Sequence, residues 1–249
     1  MMDILLTNDD GYDFAGLIHT KAKLETLGSV TVFAPLNDKS GTSQAMSIYN
    51  DILVQQVETN IFSVDGYPTD CVNIGLHSKL TDKKFDLIIS GINKGVNMGE
   101  DTLYSGTFGA ARHGRVHKVP SFALSYGFSG DVSEFNQVAE NCISIITKLL
   151  QTTSKSPLFN INHPPLKSFT GKWMFTKLGQ RLYKDQYTLK KESTNSYTLN
   201  LGGSELDHIR EPGTDFDAFS KGILSVTPMT TNGTDFSLLE SINPTENEL

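Results

Sequence analysis

Cysteine is scarce: Cys71 and Cys142 are the only two in 249 residues. No pairing pattern or metal-ligand spacing connects them, so they read as free thiols of a reducing compartment. Basic charge is in deficit. Lys plus Arg number 21 against 28 for Asp plus Glu, a formal charge of −7. That balance argues against a protein that grips a nucleic-acid polymer by its backbone, which needs clustered cations. A small phosphorylated ligand answers to local charge and stays open. Long apolar runs are missing too. No stretch approaches the ~18 apolar residues of a membrane span. The opening MMDILLTNDD lacks the basic start and the ~7–15-residue apolar run of a secretory leader. The expectation is a soluble cytoplasmic protein with no membrane partner. The glycine-rich stretch 91–99 matches neither G-x-G-x-x-G nor G-x-x-x-x-G-K-[ST], so dinucleotide and P-loop readings fail.

What is present is a globular composition, 38% hydrophobic and 20% charged, long enough to bury a substantial core. Short apolar runs alternate with helical periodicity. DILLT at 3–7, a helix over 14–27 and VTVFA at 30–34 make a βαβ unit, the building block of a parallel α/β sheet. A hairpin-like excursion follows at 52–57 and 61–65, then a helix over 69–80 and the strand FDLIIS at 85–90. The loop 91–106 leads into a helix from about 107. VPSFALS at 119–125 and LFNIN at 158–162 flank the longest amphipathic helix, 133–150. Beyond Pro164-Pro165 the texture turns to short β-prone pieces at 172–178, 181–189 and 195–201. A short helix is expected over 214–221, a strand over 222–229 and a last helix over 234–241. The spacing thus predicts an α/β part with a mainly parallel sheet over 1–165. A smaller, β-rich part over 166–249 follows.

Three loops that follow apolar strands carry chemistry. Asp9-Asp10 follows the first strand, and ligands of open α/β sheets sit at the carboxyl ends of strands. One Asp there could simply cap the next helix. Two adjacent carboxylates call for a hard divalent cation such as Mg²⁺ or Mn²⁺. Ser40-Gly41 follows the second strand and alone reads as a turn. Asn93 and Asn97 lie in SGINKGVNMG after the strand 85–90, where glycines admit close backbone approach. Tyr104-Ser105-Gly106-Thr107 opens a helix, and free amides with hydroxyls there make an anion site as readily as a plain cap. A divalent metal beside a phosphate uses all of these groups at once, which points to metal-assisted hydrolysis of a phosphate ester. The six histidines show no metal spacing. Trp173 and Phe175 read as packing residues, and Tyr104 as either a base-stacking or a core residue.

The runs ILLTNDDG, APLNDKSG, VDGYPTDCV and DLIISGINKGVNMGEDTLYSGTFGAA, in that order, resemble the SurE family of nucleotidases. TKLGQRLY, GTDFDA and ILSVTPM extend the likeness toward the C-terminus. The resemblance implies a Rossmann-like part and a smaller C-terminal part that exchanges segments to form a homodimer or homotetramer. It implies a cytoplasmic, metal-dependent phosphatase of nucleoside 5′-monophosphates, with 3′-nucleotides or short polyphosphate accepted by some members. Carried over by motif, one divalent cation per subunit (Mg²⁺ or Mn²⁺) is held by Asp9, Asp10, Ser40 and Asn93. Asp9 and Asp10 are the catalytic pair. Asn97, Ser105, Gly106 and Thr107 line the phosphate pocket. The sequence departs from the family pattern at Gln44, Met46 and Ser47, where His and Leu-Thr are usual. It departs again at Arg112-His113, where an acidic residue is usual.

Attack by a metal-activated water is the expected mechanism, and an aspartyl-phosphate on Asp9 is its rival. A haloacid-dehalogenase-like phosphatase would need Asp-x-Asp in place of adjacent aspartates. A nucleotide or phosphate sensor that keeps the metal but not turnover is the non-catalytic alternative.

Overall fold

The computed structural model describes residues 1–153, 156–203 and 207–241. In chain order its elements are β1 (Met2–Thr7), α1 (Ala15–Leu24), β2 (Gly28–Pro35), β3 (Val54–Glu58), β4 (Ile61–Val64) and α2 (Pro68–His77). Next come β5 (Leu87–Lys94), α3 (Asp101–Tyr104), α4 (Gly106–Val116), β6 (Ser121–Tyr126), α5 (Glu134–Thr152) and β7 (Leu158–His163). The C-terminal third adds β8 (Trp173–Phe175), β9 (Arg181–Leu182), β10 (Asp185–Ser193), β11 (Ser196–Gly203) and β12 (Asp207–His208). It ends with α6 (Asp215–Ser220), β13 (Leu224–Pro228) and α7 (Phe236–Ser241).

Nine strands form one sheet in the order β3-β4-β2-β1-β5-β6-β7-β13-β8. The six from β4 to β7 run parallel. β3 pairs antiparallel with β4, β13 antiparallel with β7, and β8 parallel with β13. Central strands are apolar on both faces because helices cover both. Leu6, Phe122, Ile161 and Val226 face the cluster that includes Leu17 of α1 and Phe135 and Ile146 of α5. Leu5, Phe33 and Ile88 face Cys71 and Val72 of α2 and Ala110 of α4. Each fully buried Leu, Ile or Phe contributes about 1.5–3 kcal/mol by leaving water. From β1 the chain winds outward to β2 and β4, then returns to β5 on the other side of β1. That reversal makes the β1/β5 edge the topological switch point, where such sheets open a crevice.

Three expectations are corrected here. β5 runs on to Lys94, so the first residues of the 91–106 loop belong to the strand. A bulge in the β5–β6 ladder between Ser90 and Asn93 absorbs them. Gly91 sits there at φ +121°, and a Cβ would fall 2.3 Å from the Leu124 carbonyl oxygen, so only glycine serves. Secondly, neither Asp9 nor Asp10 caps α1, which starts at Ala15 without a side-chain cap. Thirdly, Trp173 packs on the core, whereas Phe175 is 55% exposed at the sheet's edge and only one side of its ring meets Phe159 and Trp173. Among the described residues no helix is long and apolar enough to cross a membrane.

Candidate active site

Asp9 lies two residues past β1 and is only 3% exposed. α4 begins against it. The Thr107 amide donates to Asp9 Oδ2 at 3.0 Å and the Thr107 hydroxyl donates to Oδ1. This approach requires Gly106, where a Cβ would sit 3.0 Å from the Asp9 carboxylate. The positive end of the helix dipole therefore faces the carboxylate. The Ser105 hydroxyl caps the helix, accepting from the Phe108 amide at 3.0 Å.

Asp10 is half-buried and accepts from the Lys94 amide at 3.4 Å. Burial first, then the charge of neighbouring Asp9, pushes its pKa up to about 7. Burial raises the Asp9 carboxyl as well, against the lowering bonds from Thr107. The loop after β2 is drawn to the same edge by the Lys39 amide, which donates to the Asp9 carbonyl oxygen at 2.8 Å. The next residue, Ser40, donates its amide to Asp38 Oδ1 at 2.7 Å. Asn93 spends its amide nitrogen on the Gly95 carbonyl oxygen at 3.0 Å, which leaves its amide oxygen as an acceptor.

An open cleft of about 490 Å³ gathers five of the eight sequence-predicted residues on its wall: Asp9, Ser40, Asn93, Asn97 and Ser105. Asp10 is held behind it by the amide of Lys94, a residue of the wall, while Gly106 and Thr107 act on Asp9. The available donors are hard oxygens: two carboxylates, a hydroxyl and an amide carbonyl. Such a set fits Mg²⁺ or Mn²⁺, and a cation would offset the burial and the Asp9 charge that together raise Asp10. Among the described residues no three His, Cys, Asp or Glu side chains are arranged to hold a metal. Neutral oxygens would therefore have to complete the shell.

Asn97 is fixed on every side. Its amide donates to Asn162 Oδ1 at 2.8 Å, its carbonyl oxygen accepts from Asn160 and Asn162, and its side chain donates to Ser125 Oγ at 2.9 Å. The opposite wall was not read from the sequence. Arg181 pairs with Asp101, lies 4.6 Å over the Phe216 ring and donates its amide to Glu100. The Tyr183 hydroxyl donates to Asp101 at 2.9 Å, and the Tyr183 and Tyr104 rings meet edge-to-face at 6.0 Å. Tyr104 is 58% exposed at this rim, so it is no core residue. Buried Asp215 joins the two walls, accepting from the Gly99 amide at 2.9 Å and the Gly179 amide at 2.8 Å.

The family model for survival protein SurE matches residues 4–185. The chain belongs to the SurE family. The 5′-nucleotidase SurE of Leptospira interrogans is 42% identical over 243 residues, covering 97% of each chain. The 5′-nucleotidase SurE of Geobacter sulfurreducens is 34% identical, covering 96% of this chain and 93% of its own. The crystal structure of the SurE protein from Aquifex aeolicus superposes with a TM-score of 0.84 at 33% identity, covering 96% of this chain and 98% of that one. Two departures from the SurE pattern prove to be a single feature: Arg112 Nε donates to Gln44 Oε1 at 2.6 Å. His113 adds no positive charge near neutral pH, since burial, with His117 and His77 nearby, lowers its pKa to about 4.

Proposed function

We propose that the chain is a divalent-metal-dependent 5′-nucleotidase that hydrolyses nucleoside monophosphates to nucleoside and phosphate. The observation that carries this is the meeting of Asp9 and Asp10 with Ser40, Asn93 and the start of α4 at the sheet's switch point. The names of the relatives supply the substrate class. One cation, Mg²⁺ or Mn²⁺, is held by Asp9, Asp10, Ser40 and Asn93. When bound, a divalent cation neutralises paired carboxylates and polarises phosphoryl oxygens and water.

The chain's own residues do the rest. Thr107 orients Asp9 through both carboxylate oxygens, which supports a holding role for Asp9 and water as the attacking group. Asn97 and Ser105 meet the phosphate oxygens. Gly106 and Thr107 complete that pocket by setting the start of α4. The catalytic groups fall within 1–165, and 166–249 supplies the second wall and the oligomer contacts. The β10–β11 ribbon favours a homodimer or homotetramer by segment exchange. It pairs with no other described strand and turns Tyr187, Leu189, Tyr197, Leu199 and Leu201 to one exposed face. Two buried free thiols agree with a cytoplasmic setting.

The test is phosphate release from 5′- and 3′-nucleoside monophosphates with Mg²⁺, with Mn²⁺ and with chelator. Release that vanishes with chelator is expected. Asp9→Asn should abolish turnover with circular dichroism unchanged. Chelator-resistant turnover, or a fully active Asp9→Asn protein, overturns the proposal. Labelled phosphate trapped on Asp9 would replace water with the carboxylate as nucleophile.

A further inference from the structure

β7 carries Asn160 and Asn162 at alternate positions, so both project from the same face of the strand as Leu158. Both are fully buried. Buried side-chain amides are costly unless their hydrogen bonds are met, and apolar residues would serve the sheet better. These two spend their donors on one atom. The Asn97 carbonyl oxygen accepts from Asn160 Nδ2 at 2.7 Å and from Asn162 Nδ2 at 3.1 Å. Asn162 Oδ1 also accepts from the Asn97 amide, so one side chain grips the peptide groups on both sides of Asn97. Asn160 Oδ1 has no hydrogen-bond partner. Its amide is oriented for Asn97 at the expense of its own acceptor. Ser125 of β6 takes one N–H of the Asn97 side chain and leaves the second for a ligand in the cleft.

We propose that Asn162, backed by Asn160, is a positioning residue of the nucleotidase reaction. It presets Asn97 so that the Asn97 amide meets the substrate phosphate without first being ordered. The assignment rests on the reading of Asn97 as a phosphate contact.

Steady-state kinetics with a nucleoside 5′-monophosphate, and inhibition by inorganic phosphate, test it. Asn162→Asp keeps the shape and the acceptor but sets a negative oxygen against the Asn97 carbonyl. Asn162→Leu removes both bonds. Each should raise KM and the phosphate inhibition constant together by ~10-fold, about 1.4 kcal/mol, with a smaller fall in kcat. Ile161→Ala, on the other face of the same strand, should lower Tm and leave both constants unchanged. Asn97→Ala should raise both constants, and adding Asn162→Leu to it should raise them no further. If Asn162→Leu fails to fold, the near-isosteric Asn162→Asp carries the test. A lower kcat and Tm with unchanged KM and phosphate inhibition would make Asn162 merely structural and overturn the proposal. Unchanged constants in Asn97→Ala would instead remove Asn97 from the phosphate pocket, and the clamp's role with it. Absence of turnover in the wild-type protein would refute the nucleotidase reading itself.

Discussion

At the scale of single residues, this protein buries polar groups where a ligand or a loop makes use of them. His163 is an instance away from the cleft. Its Nδ1–H donates to the Pro164 carbonyl oxygen at 2.5 Å, and its Nε2 accepts from Asn141 at 3.0 Å. That pattern fixes the neutral ring, and burial lowers its pKa to about 4 from the usual 6.5. The unfolded chain therefore binds a proton at this position below about pH 6.5 that the folded chain refuses until about pH 4. Stability rises with pH across that window and is lost as pH falls through it, by roughly 3 kcal/mol at the acid end. Urea unfolding at pH 7 and pH 5 should show the loss, and His163→Gln should remove its share of the slope, leaving the part that His113 contributes. An unaltered pH slope in the variant would refute this account.

At the scale of elements, Asp215 shows how a short helix governs a distant loop. Its carboxylate accepts from the Gly99, Gly179 and Phe216 amides. Asp215→Ala strands buried donors at about 1–3 kcal/mol each, so Tm should fall by several degrees. A differential scan showing less than a degree of change would contradict this. The elements themselves were largely legible. Apolar runs such as ILLT and LIIS announce β1 and β5, and the polar turn after each marks a carboxyl end. The contacts that build the second wall were not. Arg181 reads as one more charge in a polar stretch until Asp101, eighty residues earlier, is beside it. Gln44 and Arg112, 68 residues apart, look like separate departures until they share a hydrogen bond. Asn160 and Asn162 did leave a signal, two amides at alternate places in an apolar strand. Nothing local says that their partner is Asn97.

At the scale of the whole molecule, the β10–β11 ribbon is out of proportion to its own stability. A two-stranded ribbon is marginal alone in water, and five half-exposed apolar side chains on one face call for a covering surface. Leu189 and Leu199 stand directly opposite each other. The double substitution Leu189→Lys, Leu199→Lys should shift the protein to a smaller species in sedimentation velocity, with the cleft intact. An unchanged sedimentation coefficient would overturn the proposed role of the ribbon in assembly.

The insertion of β13 between β7 and β8 also orders events during synthesis. Among the described strands β8 finds its partner only in β13, which the ribosome delivers about fifty residues later. The first six parallel strands can assemble as they emerge. β8, the strand that leads into Arg181 and Tyr183, has no edge to dock on until residues 224–228 emerge, although those two side chains find Asp101 already made. A nascent chain stalled before β13 therefore carries the paired aspartates while the strand behind the second wall is not yet tied into the sheet.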